Sequence, residues 1–417
     1  MRPQLRYLGM GGLVILILGL GVVGGVMLDR GVLFAIVPPI GIPTDAGPQF
    51  RLMVQAWNIV DQEYVDRTVV QPQRLIYGAI GGMVDALGDT GHSRFLDPQM
   101  VQEERNFAQG QFEGVGLYVA LKDGHVVIQT PIEGSPAQEA GLRPGDIILQ
   151  VDGNAVTDLP LDQVIQRVQG PAGTSVTLTI LSPDTGQTRD VTLVRTRITL
   201  RNVTWARLPG TSVAHLRILG FSQGVTQDLQ AALTAIQQQE LTAIILDLRN
   251  DPGGLLDEGV GAASQFLRSG NVLLEKDVQG HVQPVPVQPD GVALDIPMTV
   301  LINGGTASAA EIVAGALQDA RRATVVGETT FGTGTVLDEF HLSDGSALLL
   351  ATQEWLTPNG RAIWHQGLPP DVAVTLPANA DPLFPLAEQQ MTSAQLSSSG
   401  DAQLLKALEL LQGAKSQ

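Results

Sequence analysis

The chain has 417 residues, a formal net charge of -17 and no cysteine. Against a typical domain of about 100 to 200 residues, that length leaves room for two or three domains and excludes a single small module. The negative charge argues against nucleic acid, which needs a basic face to neutralise phosphate, and the lack of cysteine excludes a disulfide framework, a thiolate metal site and a cysteine nucleophile. Spacings of the HExxH kind are absent, so no metal or other cofactor is expected.

Residues 8–28 are apolar or glycine throughout, about the 20 residues needed to cross a bilayer as a helix. Arg2 and Arg6 precede the run, whereas Asp29 and Arg30 follow it and cancel, a bias that places the N-terminus in the cytoplasm and the rest outside. The expectation is a single transmembrane anchor over 8–29, with a periplasmic or extracellular body. A cleaved export signal is the alternative, since its apolar core is usually shorter, about 7 to 15 residues.

Residues 30–48, rich in Pro and Gly, are expected to be a linker. Phe50, Met53, Val54, Trp57, Val60 and Tyr64 then recur at three- and four-residue spacing, as do Ile76, Ile80, Met83, Val84 and Leu87, which predicts an N-terminal helical domain over 49–106. From 107 to 197 the pattern changes to short alternating or β-branched runs between Gly and Pro turns, with one helix carrying Leu161, Val164, Ile165 and Val168. This predicts an inserted β-rich domain. Strands and helices alternate from 198 to 375, which predicts an α/β core with a mixed, largely parallel sheet. The Ser-, Gln- and Pro-rich tail, 376–417, is expected to be flexible and to end in a docking helix near residues 404–411. Terminal helices of this kind also suit a possible oligomer.

Two segments of the β-rich region carry chemistry. In FEGVGLYV (residues 112–119), Gly114 and Gly116 flank a turn whose N–H groups can converge on an anion, a nest suited to a peptide's terminal carboxylate. SPAQEAGLRPGDIILQVDG (residues 135–153) joins a short helix, a glycine stop, a Pro-Gly turn and an apolar strand. Together these segments resemble a PDZ domain, a family that adds C-terminal peptides as an extra strand beside a helix. That resemblance implies binding at Gly114, Val115, Gly116 and Leu117, with the C-terminal tails of extracytoplasmic or membrane proteins as partners.

In the α/β region, NGGTASAAEIVAGALQD (residues 303–319) turns from a strand into an Ala-rich helix with Ser308 at its start. A serine there sits among free N–H groups and the positive helix end, which can stabilise an oxyanion. For an isolated serine before Ala-Ala-Glu a plain helix cap is the more common explanation. However, GDTGHSRFLDP (88–98), DLRNDPGG (247–254), TASAAEIVAGALQD, VVGETTFG and TPNGRAIWHQGLPPD (357–371) occur in an order that resembles the C-terminal processing, or tail-specific, serine peptidases over almost the whole soluble chain. The resemblance implies that Ser308 is the nucleophile and that the N–H groups of Gly253 or Gly254 and Ala309 form the oxyanion hole. It also implies a Gly-Lys-Gly whose lysine is the base, and a glutamine four residues later that orients it.

Here the base position is Thr333 and the glutamine position is Leu337. A threonine hydroxyl cannot take a proton near neutral pH, and general base catalysis is worth about 100- to 10,000-fold. Two expectations follow. In the first, the protein keeps the fold and tail binding but has lost most or all proteolysis. In the second, it is an active endopeptidase with a substitute base, sought among Lys122, Lys276, Lys406, Lys415 and the six histidines, of which His365 and Lys276 are the leading choices.

Overall fold

The computed structural model describes residues 47–413 apart from 90–92, 123, 133, 144, 158, 160, 184, 200, 378, 379 and 381. They fall into two compact units, one ending at Gly78 and the other running from Ala79. In the first, α1 (Gly47–Glu63) carries the expected apolar stripe, of which Met53 and Val54 are exposed. Helix α2 (Pro72–Asp85) runs across the division.

Among the described residues no helix is long and apolar enough to cross a membrane. The transmembrane helix expected over 8–29 lies outside the described residues, and the single-span anchor is therefore withdrawn from the fold class. Its basis was an apolar run behind two arginines, and export signals share that pattern.

The larger unit opens with β1 (Arg94–Leu96) and α3 (Pro98–Ala108), whose first turn is capped by the Asp97 carboxylate accepting from Met100 N–H. The β-rich insertion follows: β2 (Gln111–Gly114), β3 (Leu117–Lys122), β4 (His125–Pro131), α4 (Pro136–Glu139), β5 (Ile147–Val151), β6 (Asn154–Ala155), α5 (Leu161–Val168), β7 (Ser175–Ser182), β8 (Gln187–Val194) and β9 (Thr196–Thr199). Its sheet runs β3-β4-β5-β7-β8. The entering β2 and leaving β9 pair antiparallel, so the insertion is closed at its neck.

The core sheet comprises β10 (Val203–Arg207), β11 (Val213–Ile218), β12 (Ala243–Asp247), β15 (Met298–Ile302), β16 (Thr324–Gly327) and β19 (Val372–Ala373), in that spatial order. Only the β10–β11 pair is antiparallel. Every residue of AIILD in β12 and MTVLI in β15 is buried, because helices cover both faces and leave no side for a polar alternation. One face packs on α6 (Val225–Gln238), α7 (Leu256–Ser264) and α8 (Ala309–Asp319) through Leu216, Leu246, Val300, Leu233 and Val313. A second, antiparallel sheet is made of β1, β13 (Asn271–Lys276), β14 (Val282–Pro286), β17 (Thr335–His341) and β18 (Ala347–Leu356).

The other face of the core sheet takes the C-terminal segment: α9 (Pro385–Glu388), α10 (Ser393–Ser397) and α11 (Ala402–Gly413). Leu404, Leu408 and Leu411 of α11 are buried against Val213, Ile245 and Leu301, each worth about 1.5 to 3 kcal/mol. The stretch before α11, expected to be flexible, instead supplies polar groups to a buried network. His215 of β11 bonds Glu388 through Nδ1 at 2.6 Å and Asp247 through Nε2 at 3.1 Å. Arg249 donates Nη2 to Asp247 at 2.7 Å and Nη1 to both oxygens of Asp401 at 3.0 Å. All five side chains are inaccessible to solvent.

Burial alone would push the His215 imidazole down, but the Glu388 carboxylate, followed by Asp247, outweighs it and raises the pKa to about 9. Burial opposes ionisation of Asp247 too, yet Arg249 and His215 hold it far below the usual carboxylate range.

Two outcomes are expected. Asp401→Ala leaves Arg249 buried with half its carboxylate partners, at a cost of about 3 to 5 kcal/mol in denaturant unfolding; an unchanged midpoint would remove the network's structural role. A group whose folded pKa is raised gives stability that is complete below its ordinary value, 6.5 here, and lost as pH rises through about 9. The parent should therefore lose stability over roughly pH 7 to 10, and His215→Gln should lose less of it over that window. Parallel curves for the two proteins would contradict this.

Candidate active site

The carboxyl ends of three adjacent parallel strands converge, the place where open α/β sheets hold their ligands. After β12 comes the turn at 248–254, after β15 the turn at 303–307, and after β16 the segment at 328–334. The turns are tied together: Thr306 Oγ1 donates to Leu248 O at 2.8 Å, Ala307 N–H to Asp251 O at 2.9 Å, and Phe331 N–H to Thr306 O at 2.9 Å.

Ser308 stands at the N-cap of α8 with φ 51° and ψ -121°. A positive φ at a residue with a Cβ costs on the order of 1 to 3 kcal/mol and persists only where the surroundings enforce it. They do so here, because Ser308 N–H donates to Glu311 Oε2 at 2.9 Å and to Thr333 Oγ1 at 3.1 Å. Glu311 is fully buried and also accepts Thr333 N–H at 2.9 Å, Gly332 N–H at 2.8 Å and the Thr330 hydroxyl. One carboxylate thus clamps the serine turn against the strand that carries the base position.

Thr333 is therefore beside Ser308, and its oxygen is engaged with the serine's backbone. Leu337 lies on β17, paired with Ala351, and its side chain offers neither donor nor acceptor. Among the described residues no amine, imidazole or carboxylate hydrogen-bonds the Ser308 hydroxyl. Lys276 is paired with Glu354 at 2.8 Å and Lys406 with Glu409 at 3.0 Å; Lys415 lies outside the described residues. The backbone N–H of His365 donates to Gly332 O at 2.9 Å, while its ring stacks on Trp364.

Of the expected oxyanion donors, Gly253 gives its N–H to Asp251 Oδ1 at 2.8 Å. Gly254 and Ala309 donate to no described group, which leaves their N–H groups for an oxyanion. Gly253 is needed for space instead, since a Cβ on it would lie 2.6 Å from Ser308 Cβ. Burial pushes Asp251 well above the ordinary carboxylate range, and its Oδ2 has no partner among the described residues.

In the insertion, Phe112, Val115, Leu117, Val164, Ile165 and Val168 line a cavity of about 50 Å³ between β3 and α5. Gly116 has φ 80°, and a Cβ there would meet Ser135 Cβ at 2.2 Å. Ala137 N–H donates to Val115 O and Ile132 N–H to Gly116 O, both at 2.9 Å. The N–H groups of Val115 and Gly116 donate to no described group, and Gly114 and Leu117 line the same cavity.

Sequence reasoning overlooked Glu311 as the organiser, although its position three residues after Ser308 is the spacing of a capping box. It also overlooked His215, an ionisable residue in the otherwise apolar strand VAHLRI, and did not single out Asp251 within DLRNDPGG. Glu311→Gln is expected to cost about 1 to 3 kcal/mol, because either amide orientation sets an NH2 against N–H donors; thermal unfolding at the parent's midpoint would contradict the clamp.

Residues 212–374 match the model of peptidase family S41, and residues 127–182 match that of a PDZ domain. The carboxyl-terminal-processing protease of Synechocystis sp. is 36% identical over 385 residues, covering 87% of this chain and 87% of that protein. The carboxy-terminal processing protease CtpA of Bacillus subtilis is 31% identical over 329 residues, or 79% of this chain and 70% of the relative. Among solved structures, the photosystem II D1 C-terminal processing protease aligns with a TM-score of 0.51 at 32% identity, over 81% of this chain and 96% of that one.

Proposed function

Because the chain belongs to peptidase family S41 and carries a PDZ domain, we propose that it binds free C-terminal tails of unfolded polypeptides and hydrolyses them very slowly or not at all. One observation carries the second half: the Ser308 turn is intact, while the Thr333 hydroxyl, which cannot act as a base, occupies the place beside it. The unengaged N–H groups of Val115 and Gly116 above an apolar cavity support the first half, since a terminal carboxylate and an apolar side chain would satisfy both at once. Gly254 and Ala309 would still hold a tail's carbonyl oxygen, so the site would bind without cleaving. We place this binding outside the cytoplasm, on the strength of Arg2 and Arg6 ahead of the N-terminal apolar segment, a pattern that a cleaved export signal satisfies.

A second reading has one observation in its favour. The backbone of His365 is bonded to Gly332, the residue before Thr333, so an active enzyme would use this imidazole as its base.

Incubation with an unfolded protein substrate separates the two. The proposal expects no cleavage that depends on Ser308, and a gain of about 100-fold or more in the Thr333→Lys, Leu337→Gln double variant. Cleavage by the parent that Ser308→Ala abolishes would overturn it, and loss in His365→Ala would identify the substitute base. For tail binding, a peptide with a free apolar C-terminus should bind at least about tenfold more tightly than its amide; equal affinities would refute the carboxylate nest.

A further inference from the structure

At the opposite end of the core sheet from Ser308, where β15 and β16 begin, lies an open cavity of about 420 Å³. Its walls come from the starts of the two strands, the end of α8 and the last turn of α11. Three polar groups on these walls have no partner among the described residues.

The Thr299 hydroxyl belongs to a side chain only 3% exposed and makes no hydrogen bond. The Arg321 guanidinium has neither hydrogen bond nor ion pair, on a residue held at φ 54°. Arg322 donates Nε to Phe266 O at 3.0 Å and Nη2 to Ala293 O at 2.8 Å and Ile296 O at 2.7 Å, which leaves Nη1 unused. Its three acceptors are neutral carbonyls, and Asp295 nearby is paired with Arg268.

The other polar groups of the walls are already engaged. Asp371 accepts from Gln318 Nε2 at 3.1 Å and from Val325 N–H at 2.8 Å, and Gln318 Oε1 accepts from Arg361 at 2.7 Å. In a chain with 42 acidic and 25 basic residues, two arginines share this cavity with one carboxylate, Asp371, whose oxygens are turned to Gln318 and Val325 N–H rather than to a guanidinium, so one positive charge is left over. A half-buried cation left without an anion is costly, and burial lowers the Arg322 pKa accordingly. The remaining wall is apolar: Pro297, Met298, Leu410 and Leu411.

We propose that this cavity is a binding site for a carboxylate on an aliphatic body, with Arg321, Arg322 and Thr299 taking the carboxylate and Met298, Leu410 and Leu411 the aliphatic part. An inorganic anion would leave the apolar wall uncovered, and a neutral alcohol would leave the guanidinium groups unpaired. A free aliphatic acid and the C-terminus of a peptide ending in leucine share the required chemistry.

Titration calorimetry on the full chain tests this with hexanoate, inorganic phosphate and hexanol. Saturable binding of hexanoate is expected, weakened roughly tenfold by Arg321→Gln, with phosphate and hexanol weaker by a similar factor. Arg322 ties three carbonyls in two connecting segments, so its substitution risks the fold; Arg321→Gln and Thr299→Val leave those contacts in place. Failure of hexanoate to saturate, equal binding by phosphate, or affinities untouched in both variants would overturn the site. Competition by a peptide ending in leucine, set against its amide, then separates the two sources of the carboxylate.

Discussion

Glu311 is the constraint on which the candidate site depends. Its carboxylate is buried at the start of α8 and gathers N–H groups from Ser308, Gly332 and Thr333 together with the Thr330 hydroxyl. A buried carboxylate without such donors would be costly, and with them it is a fixed point. It holds Ser308 at a positive φ and keeps the strand bearing residue 333 alongside. The Ser308 turn is thus held by Glu311 through backbone N–H groups, not the side chains, of residues 308, 332 and 333. That explains how Thr333 and Leu337 can occupy their positions without loss of the turn.

The C-terminal segment is joined to the same region from behind. Asp247 ends β12 and Arg249 belongs to the turn that ends in Gly253 and Gly254, and Arg249 reaches Asp401, Gln403 and the Leu383 carbonyl. The polar tail segment is thereby part of the folded core, although it buries few large apolar groups before α11. Charge pairing and hydrogen bonding in a dry setting replace hydrophobic burial there, and such pairs are strongly destabilising when one member is removed.

Much of the core was legible because its strands have one simple signature. AIILD and MTVLI show no polar alternation, as buried parallel strands must, and the Ala-rich run after Ser308 has the propensity for a helix. The glycines at 114 and 116 and the Pro-Gly turn announced the PDZ insertion in the same local way. What escaped is long-range. His215 meets a partner 173 residues away and Arg249 one 152 residues away, and no spacing rule connects such positions. Which of Gly253 and Gly254 keeps an unengaged N–H depends on the Asp251 carboxyl folding back on Gly253, and only the turn geometry shows that. The backbone contact of His365 with Gly332 is likewise one that no spacing rule predicts. The apolar run at 8–28 suggested a membrane helix through its length and its flanking arginines, and a basic start followed by an apolar run is also the pattern of an export signal.

The central claim is that the Ser308 hydroxyl has no base. Its nucleophilicity can be measured directly, without any choice of peptide substrate, as the rate of covalent labelling by a fluorophosphonate at neutral pH. The account predicts that the parent is labelled no faster than Ser308→Ala. Rapid labelling of the parent that disappears in Ser308→Ala would contradict it.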